Sequence, residues 1–331
     1  MSTLYAAYED SLFVVADADG DPTLRSHRFD SRPESVAVAG GAVLVGTFEH
    51  GLRRSSDAGK SWTRADGIEQ DAVTALAVAP NDPNTVYAGT EPSRVYRSTD
   101  GGRTFERLDG LTDLPSSSEW SFPPRPDTHH VRWIEPDPND PNLLHVAVEA
   151  GAQVRGHLSD GGVRWEDRVP GSRLDVHSIA THPEAQNRAW VAAGDGYAET
   201  TDGGNSWQHP DAGLEHTYCW SVAVGLPEST DSPQVLLTAA SGANAAHRRG
   251  KAYLYRREGN VWERLDDRGI PTGEGTYRAV LERGAGESTF WAANNHGLYR
   301  TRDGGDSWDR VGVTLPDRVH DQCCRGLVVV D

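Results

Sequence analysis

Short apolar runs of five or six residues recur along the chain, set apart by polar stretches rich in glycine, aspartate, serine and threonine. Val73-Thr74-Ala75-Leu76-Ala77-Val78 is followed by Thr85-Val86-Tyr87-Ala88-Gly89, then by Val95-Tyr96-Arg97-Ser98 and Phe105-Glu106-Arg107-Leu108. Segments this short, bounded by turn chemistry and without a 3.6-residue period, predict β-strands. The same four-strand sentence returns from about Glu34, Asp71, His130, Asp175, Thr217 and Thr276. A repeat of roughly 40 residues predicts radial repetition rather than an open sheet.

Six repeats are continuous and a seventh is split. Thr3–Tyr8, Ser11–Asp17 and Thr23–Phe29 supply three strands with no inner strand before them, and Arg325–Val330 supplies an inner strand with nothing after it. Joining the two ends completes a blade and removes the open sheet edge. The expected fold is all-β, a single seven-bladed β-propeller of four-stranded blades over residues 1–331. Its blades are expected at 325–331 with 1–30, and at 34–64, 71–108, 130–168, 175–209, 217–265 and 276–310. Two insertions, 111–128 and 241–250, are expected on one face, where long loops serve as walls or lids.

One turn recurs almost verbatim. Ser55-Ser56-Asp57-Ala58-Gly59-Lys60-Ser61-Trp62 reappears as Ser98 to Phe105 around Asp100, Thr200 to Trp207 around Asp202, and Thr301 to Trp308 around Asp303; a worn copy surrounds Asp160. An Asp carboxylate can accept the backbone N–H groups of its own turn, while glycine supplies the left-handed positions. These five aspartates are therefore expected to be structural. The pattern S/T-x-D-x-G-x-S/T-W/F resembles the Asp box of the BNR-repeat propellers, which include sialidases, xyloglucanases, sortilin-type receptors and photosystem assembly factors. The resemblance covers nearly the whole chain and implies the fold; the superfamily holds glycosidases and pure binding proteins alike. Sialidases have six blades and an early Arg-Ile-Pro element, whereas the early Arg-Pro here is Arg32-Pro33, so sialidase activity is not carried over.

Aligning the repeats exposes a candidate site. The position of Thr74 is taken, blade by blade, by Glu34, Thr74, Arg132, His177, Trp220, Arg278 and Arg325. Converging guanidinium groups suit a carboxylate or phosphate. Arg132, Arg278 and Arg325 are the expected anion clamp, with His50, Glu91, His130, Tyr277, His296, His320 and Asp321 as further ligand contacts. His177, His216 and Tyr218 are candidate acids or bases, with Glu49 and Glu149 as partner carboxylates. Eight of the 13 histidines fall on this one face. No cofactor is expected from a motif, although a divalent metal at a histidine cluster is an open alternative, since imidazole suits zinc and manganese.

Composition narrows the partners. The net charge of −17 argues against a grip on nucleic-acid phosphates. Lys60 and Lys251 are the sole lysines, a balance resembling proteins of salt-accumulating archaea; an acidic protein from a GC-rich mesophile is the other reading. No apolar run approaches the ~20 residues of a membrane span. No basic-then-apolar leader is visible, and the three cysteines, Cys219, Cys323 and Cys324, do not form a disulfide framework. A cytoplasmic monomer is expected. Two functions stand: a pocket for an anionic small molecule such as a sugar acid, with glycosidase- or lyase-type chemistry, or a non-catalytic scaffold that holds a protein or peptide.

Overall fold

The computed structural model describes residues 1–227 and 232–331 and forms a seven-bladed β-propeller. The first blade orders its strands Gly326–Val330, Thr3–Ala7, Ser11–Ala16 and Thr23–Arg28 from the axis outward. Its closing pair is antiparallel, with Thr3 opposite Val330 and Ala7 opposite Gly326. The second to seventh blades have inner strands Pro33–Ala39, Ala72–Ala79, Val131–Pro136, Val176–Ala180, Tyr218–Gly225 and Val280–Arg283. Each blade continues outward as an antiparallel meander. The span 217–265 expected for the sixth blade includes 228–231, which lie outside the described residues.

The core is a ring of seven clusters, one at each blade joint. Period-two alternation builds it, because successive side chains of a strand point to opposite faces. Leu4 and Ala6 pack with Val280 and Trp291 of the seventh blade, while Tyr5 and Ala7 pack with Val36 and Val43 of the second. Ala37 and Leu44 turn the other way, onto Val73 and Val86 of the third. These inner and middle strands thus serve two joints each.

Four turns share one hydrogen-bond pattern. At Asp202, the Thr200 hydroxyl donates to one carboxylate oxygen at 2.7 Å, the Ser206 N–H donates to the same oxygen at 2.9 Å, and the Ser206 hydroxyl donates to the other at 2.6 Å. Gly204, at φ +87°, returns its N–H to the Thr200 hydroxyl. Asp57, Asp100 and Asp303 repeat these contacts. Asp160 departs from the expectation. Ser159 pairs directly with Gly162 across a two-residue hairpin, and the Asp160 carboxylate accepts none of these bonds. Strand count departs at the fifth blade, whose regular sheet has three strands and only a Glu199–Gln208 bridge in place of the fourth. Pro210, two residues on, has no N–H with which to extend that ladder.

Candidate functional site

The aligned inner-strand position has a backbone cause. In five blades it is the extra residue of a register shift: Glu34 between Pro33 and Ser35, Thr74 between Val73 and Ala75, Arg132 between Val131 and Trp133, His177 between Val176 and Ser178, Trp220 between Cys219 and Ser221. A bulge leaves one residue unpaired and re-aims its side chain. Arg325 immediately precedes the regular inner strand of the first blade, and Arg278 stands two residues before that of the seventh. Repetition of the bulge gives the other five their common position at the start of the inner strand.

Above this ring lies a cavity of about 780 Å3. Glu34, Thr74, Arg132 and Arg325 line its lower end and also the narrow apolar passage beneath, of about 50 Å3. Both insertions form walls. The first brings Phe122, Pro124 and Arg125; the second brings Ala243, Asn244, His247 and Arg248. Arg125 is fixed by a bidentate pair to Glu91, at 2.7 and 2.5 Å, and lies between the Phe48 and Phe122 rings, with its guanidinium carbon 5.0 and 4.7 Å from their centroids. Arg32, bonded to Glu34, covers Phe48 at 4.9 Å.

The arginines differ in how they are satisfied. Arg132 is 7% exposed, its Nε lies 3.7 Å from Glu149, and none of its guanidinium nitrogens makes a hydrogen bond among the described residues. Arg325 reaches Glu9 at 3.5 Å and Glu34 at 3.6 Å, and its Nε has no partner. Arg278 does not line the cavity, contrary to its expected role in the clamp. It lies 3.5 Å from the Trp220 ring centroid, donates from Nε to His247 Nδ1 at 2.9 Å, and donates to the Cys324 carbonyl at 2.7 Å. Burial, joined by the charges of Arg325 and Arg132, draws its guanidinium down to about 10. It is a strut behind the Trp220 wall.

A directional hydrogen-bond chain follows from that strut. Because Arg278 donates to His247 Nδ1, the His247 proton sits on Nε2 and is given to the Tyr218 hydroxyl at 3.0 Å. Burial, then the charge of Arg278, lowers His247 to about 2, so the ring is neutral. The Tyr218 hydroxyl faces His177 Nε2 at 3.4 Å, and His177 Nδ1 donates to the Cys219 carbonyl at 2.6 Å. Glu149 stands beside this chain. Burial alone would raise it, but the His130 hydrogen bond at 2.9 Å and the neighbouring positive charge, that of Arg132 included, outweigh burial and hold its carboxyl well below the usual range. An ionised Glu149 can act as base or nucleophile, not as proton donor.

The remaining expected residues divide. His130, Glu149, Tyr277 and Asp321 line the cavity, and Glu91 supports it through Arg125. His177 and Tyr218 lie beside it. Glu49 and His50 are exposed and outside it. His216 is remote from it, stacked on Tyr253 at 4.3 Å with Nδ1 2.5 Å from the Tyr255 hydroxyl. His296 and His320 stand near each other, ring centroids 5.9 Å apart, without lining the cavity. Sequence reasoning missed Arg32, Arg125, Arg248 and His247 as site residues. The signal for the last three was their place inside the two insertions.

No family model matches the chain, and no curated protein matches it. Solved structures do. An ancestral GH74 enzyme aligns with a TM-score of 0.63 at 17% identity, over 94% of this chain and 39% of its own. The GH74 xyloglucanase from Xanthomonas campestris aligns at 0.58 and 17% identity, over 85% of this chain and 45% of its own. The chain thus spans less than half the length of either enzyme. YCF48 bound to D1 peptide aligns at 0.57 and 14% identity, over 90% of this chain and 92% of its own. At such identities the likeness is one of fold.

Proposed function

We propose that the cavity binds a small anionic molecule, a sugar acid or comparable carboxylate, on Arg132 and Arg325. The observation that carries this reading is the Arg132 guanidinium, buried and without a hydrogen bond at the base of the cavity. Its ion pair with Glu149 at 3.7 Å leaves the guanidinium hydrogens unsatisfied, which is costly in a buried place, and a carboxylate would satisfy them with two parallel bonds. Phe48, Phe122, Trp220 and Tyr277 contribute aromatic surface to the wall of the same cavity. Glu149, held ionised, supplies a base within the same cavity. The four matching turns are read as Asp boxes of the BNR type, structural in role.

Calorimetric titration with glucuronate, glucose and inorganic phosphate tests this. Glucuronate or phosphate should bind and glucose should not, and Arg132→Gln should weaken binding about tenfold or more without lowering the melting temperature. Absence of heat with both anions at millimolar concentration sinks the reading, as does an Arg132→Gln variant with unchanged affinity.

The near-complete mutual coverage with YCF48, a single propeller bound to a peptide, favours a second reading without catalysis. Here the same face holds a protein segment presenting an acidic group to Arg132. Peptide binding that survives saturating glucuronate would place that surface elsewhere.

A further inference from the structure

We infer that Glu149, Asp175 and His177 form a binding site for a divalent first-row metal ion at the edge of the cavity. The inference does not rest on the anion reading: Glu149 is common to both, but the anion is held by Arg132 and Arg325 and the ion by Glu149, Asp175 and His177. His177 is fully buried, and its proton is committed to the Cys219 carbonyl through Nδ1, so Nε2 presents a lone pair. That lone pair faces Glu149 Oε1 at 3.7 Å and Asp175 Oδ2 at 3.8 Å. All three ligand atoms lie within 4.8 Å of one another.

Three acceptors therefore converge, two of them buried and the third, Asp175, half-buried. The Tyr218 hydroxyl, 3.4 Å from Nε2, is the one donor found facing them among the described residues, and it can serve only one. Acceptors turned on each other repel unless a positive charge stands between them. Ligands held about 2.1 Å from a tetrahedral zinc lie about 3.4 Å from each other, so the observed spacing closes on an ion with a small shift.

The surroundings have the form of a built site. Each carboxylate is oriented through one oxygen and leaves the other free: Glu149 Oε2 is held by His130 at 2.9 Å, and Asp175 Oδ1 accepts the Ala150 N–H at 3.1 Å. Outer hydrogen bonds that orient ligands in this way, including a histidine anchored to a backbone carbonyl, are the usual support of a metal centre. Gly194 makes room for it, since a Cβ there would stand 1.9 Å from Asp175 Oδ2. The Arg132 guanidinium approaches Glu149 from the side of its other oxygen, leaving Oε1 to the ion. One imidazole with two carboxylates suits zinc, manganese or iron(II) better than magnesium or calcium. Three protein ligands leave a position open for water or for a group of a bound molecule.

The test uses the full chain after dialysis against a chelator, titrated with Zn2+ by calorimetry and with Co2+ by visible absorption. One ion per chain should bind with micromolar or tighter affinity. Asp175→Asn keeps the shape and the Ala150 contact, and should weaken Zn2+ binding by about 10- to 100-fold while circular dichroism stays that of the parent. His296→Ala, which disrupts the His296–His320 pair outside the cavity, should leave it unchanged. Failure of the parent chain to take up one Zn2+ overturns the site. So does uptake that survives Asp175→Asn, or uptake that His296→Ala abolishes. If Asp175→Asn fails to fold, Gly194→Ala gives the same reading by displacing the Asp175 carboxylate.

Discussion

At the scale of single residues, the carboxylate of Asp202 is placed to be felt in acid. Hydrogen bonds from the Ser206 hydroxyl and N–H, then from Thr200, lower it from 3.8 to about 2. A carboxyl depressed on folding adds stability above its unfolded value, and that stability is lost as the pH falls from about 3.8 through about 2. Asp202→Asn should therefore cost about 1 kcal/mol at neutral pH, the lower end for bonds to a charge because the turn is exposed, and nothing near pH 2. Urea denaturation at both values checks this; equal losses at both would remove the carboxylate's charge from the account. The ring residues show what a repeat reveals at this scale. Position in the blade could be read from Thr74 and its equivalents, because a bulge recurs at that point. What stands between a side chain and the axis could not. Trp220 screens Arg278 from the cavity, while Arg132, in the same register, is open to it.

Among the elements, the segment 241–250 is braced by Arg278. Arg278 does not line the cavity but binds this segment twice, through its backbone N–H to the Ala246 carbonyl at 3.1 Å and through its side-chain Nε to His247. Arg278→Ala would leave His247 Nδ1 and the Cys324 carbonyl without their donor. Stability should fall by roughly 2–4 kcal/mol. Trypsin should then cut first at Arg248 or Arg249; a variant as stable and as resistant as the parent would show that the strut is dispensable. Insertions and four of the turns were legible because length and a repeated S/T-x-D-x-G spell them out. The Asp160 turn was not, since Gly161-Gly162 permits a two-residue hairpin that needs no carboxylate. Nor was the missing fourth strand of the fifth blade, which is decided by Pro210 and not by any apolar pattern.

For the whole molecule, seven joint cores make the ring a single cooperative object, because inner and middle strands such as Thr3–Ala7 pack into two of them. Removing residues from Cys324 onward strips the first blade of its inner strand and opens two joints, those of Leu4 with Val280 and of Tyr5 with Val36. The truncated chain should lose its cooperative melting transition; a melt like that of the parent would refute closure by this strand. The same pairing also governs the order of assembly. Thr3 must wait for Val330, its partner at the far end of the ring, before its own edge is covered. During synthesis the hairpin of Thr3–Ala7 therefore emerges from the ribosome well before Gly326–Val330, the strand that covers its edge. Such an edge invites pairing with another nascent chain. Yield in the cell should accordingly track how quickly the last strand arrives or how well a chaperone shields the first, more than the stability of the finished ring.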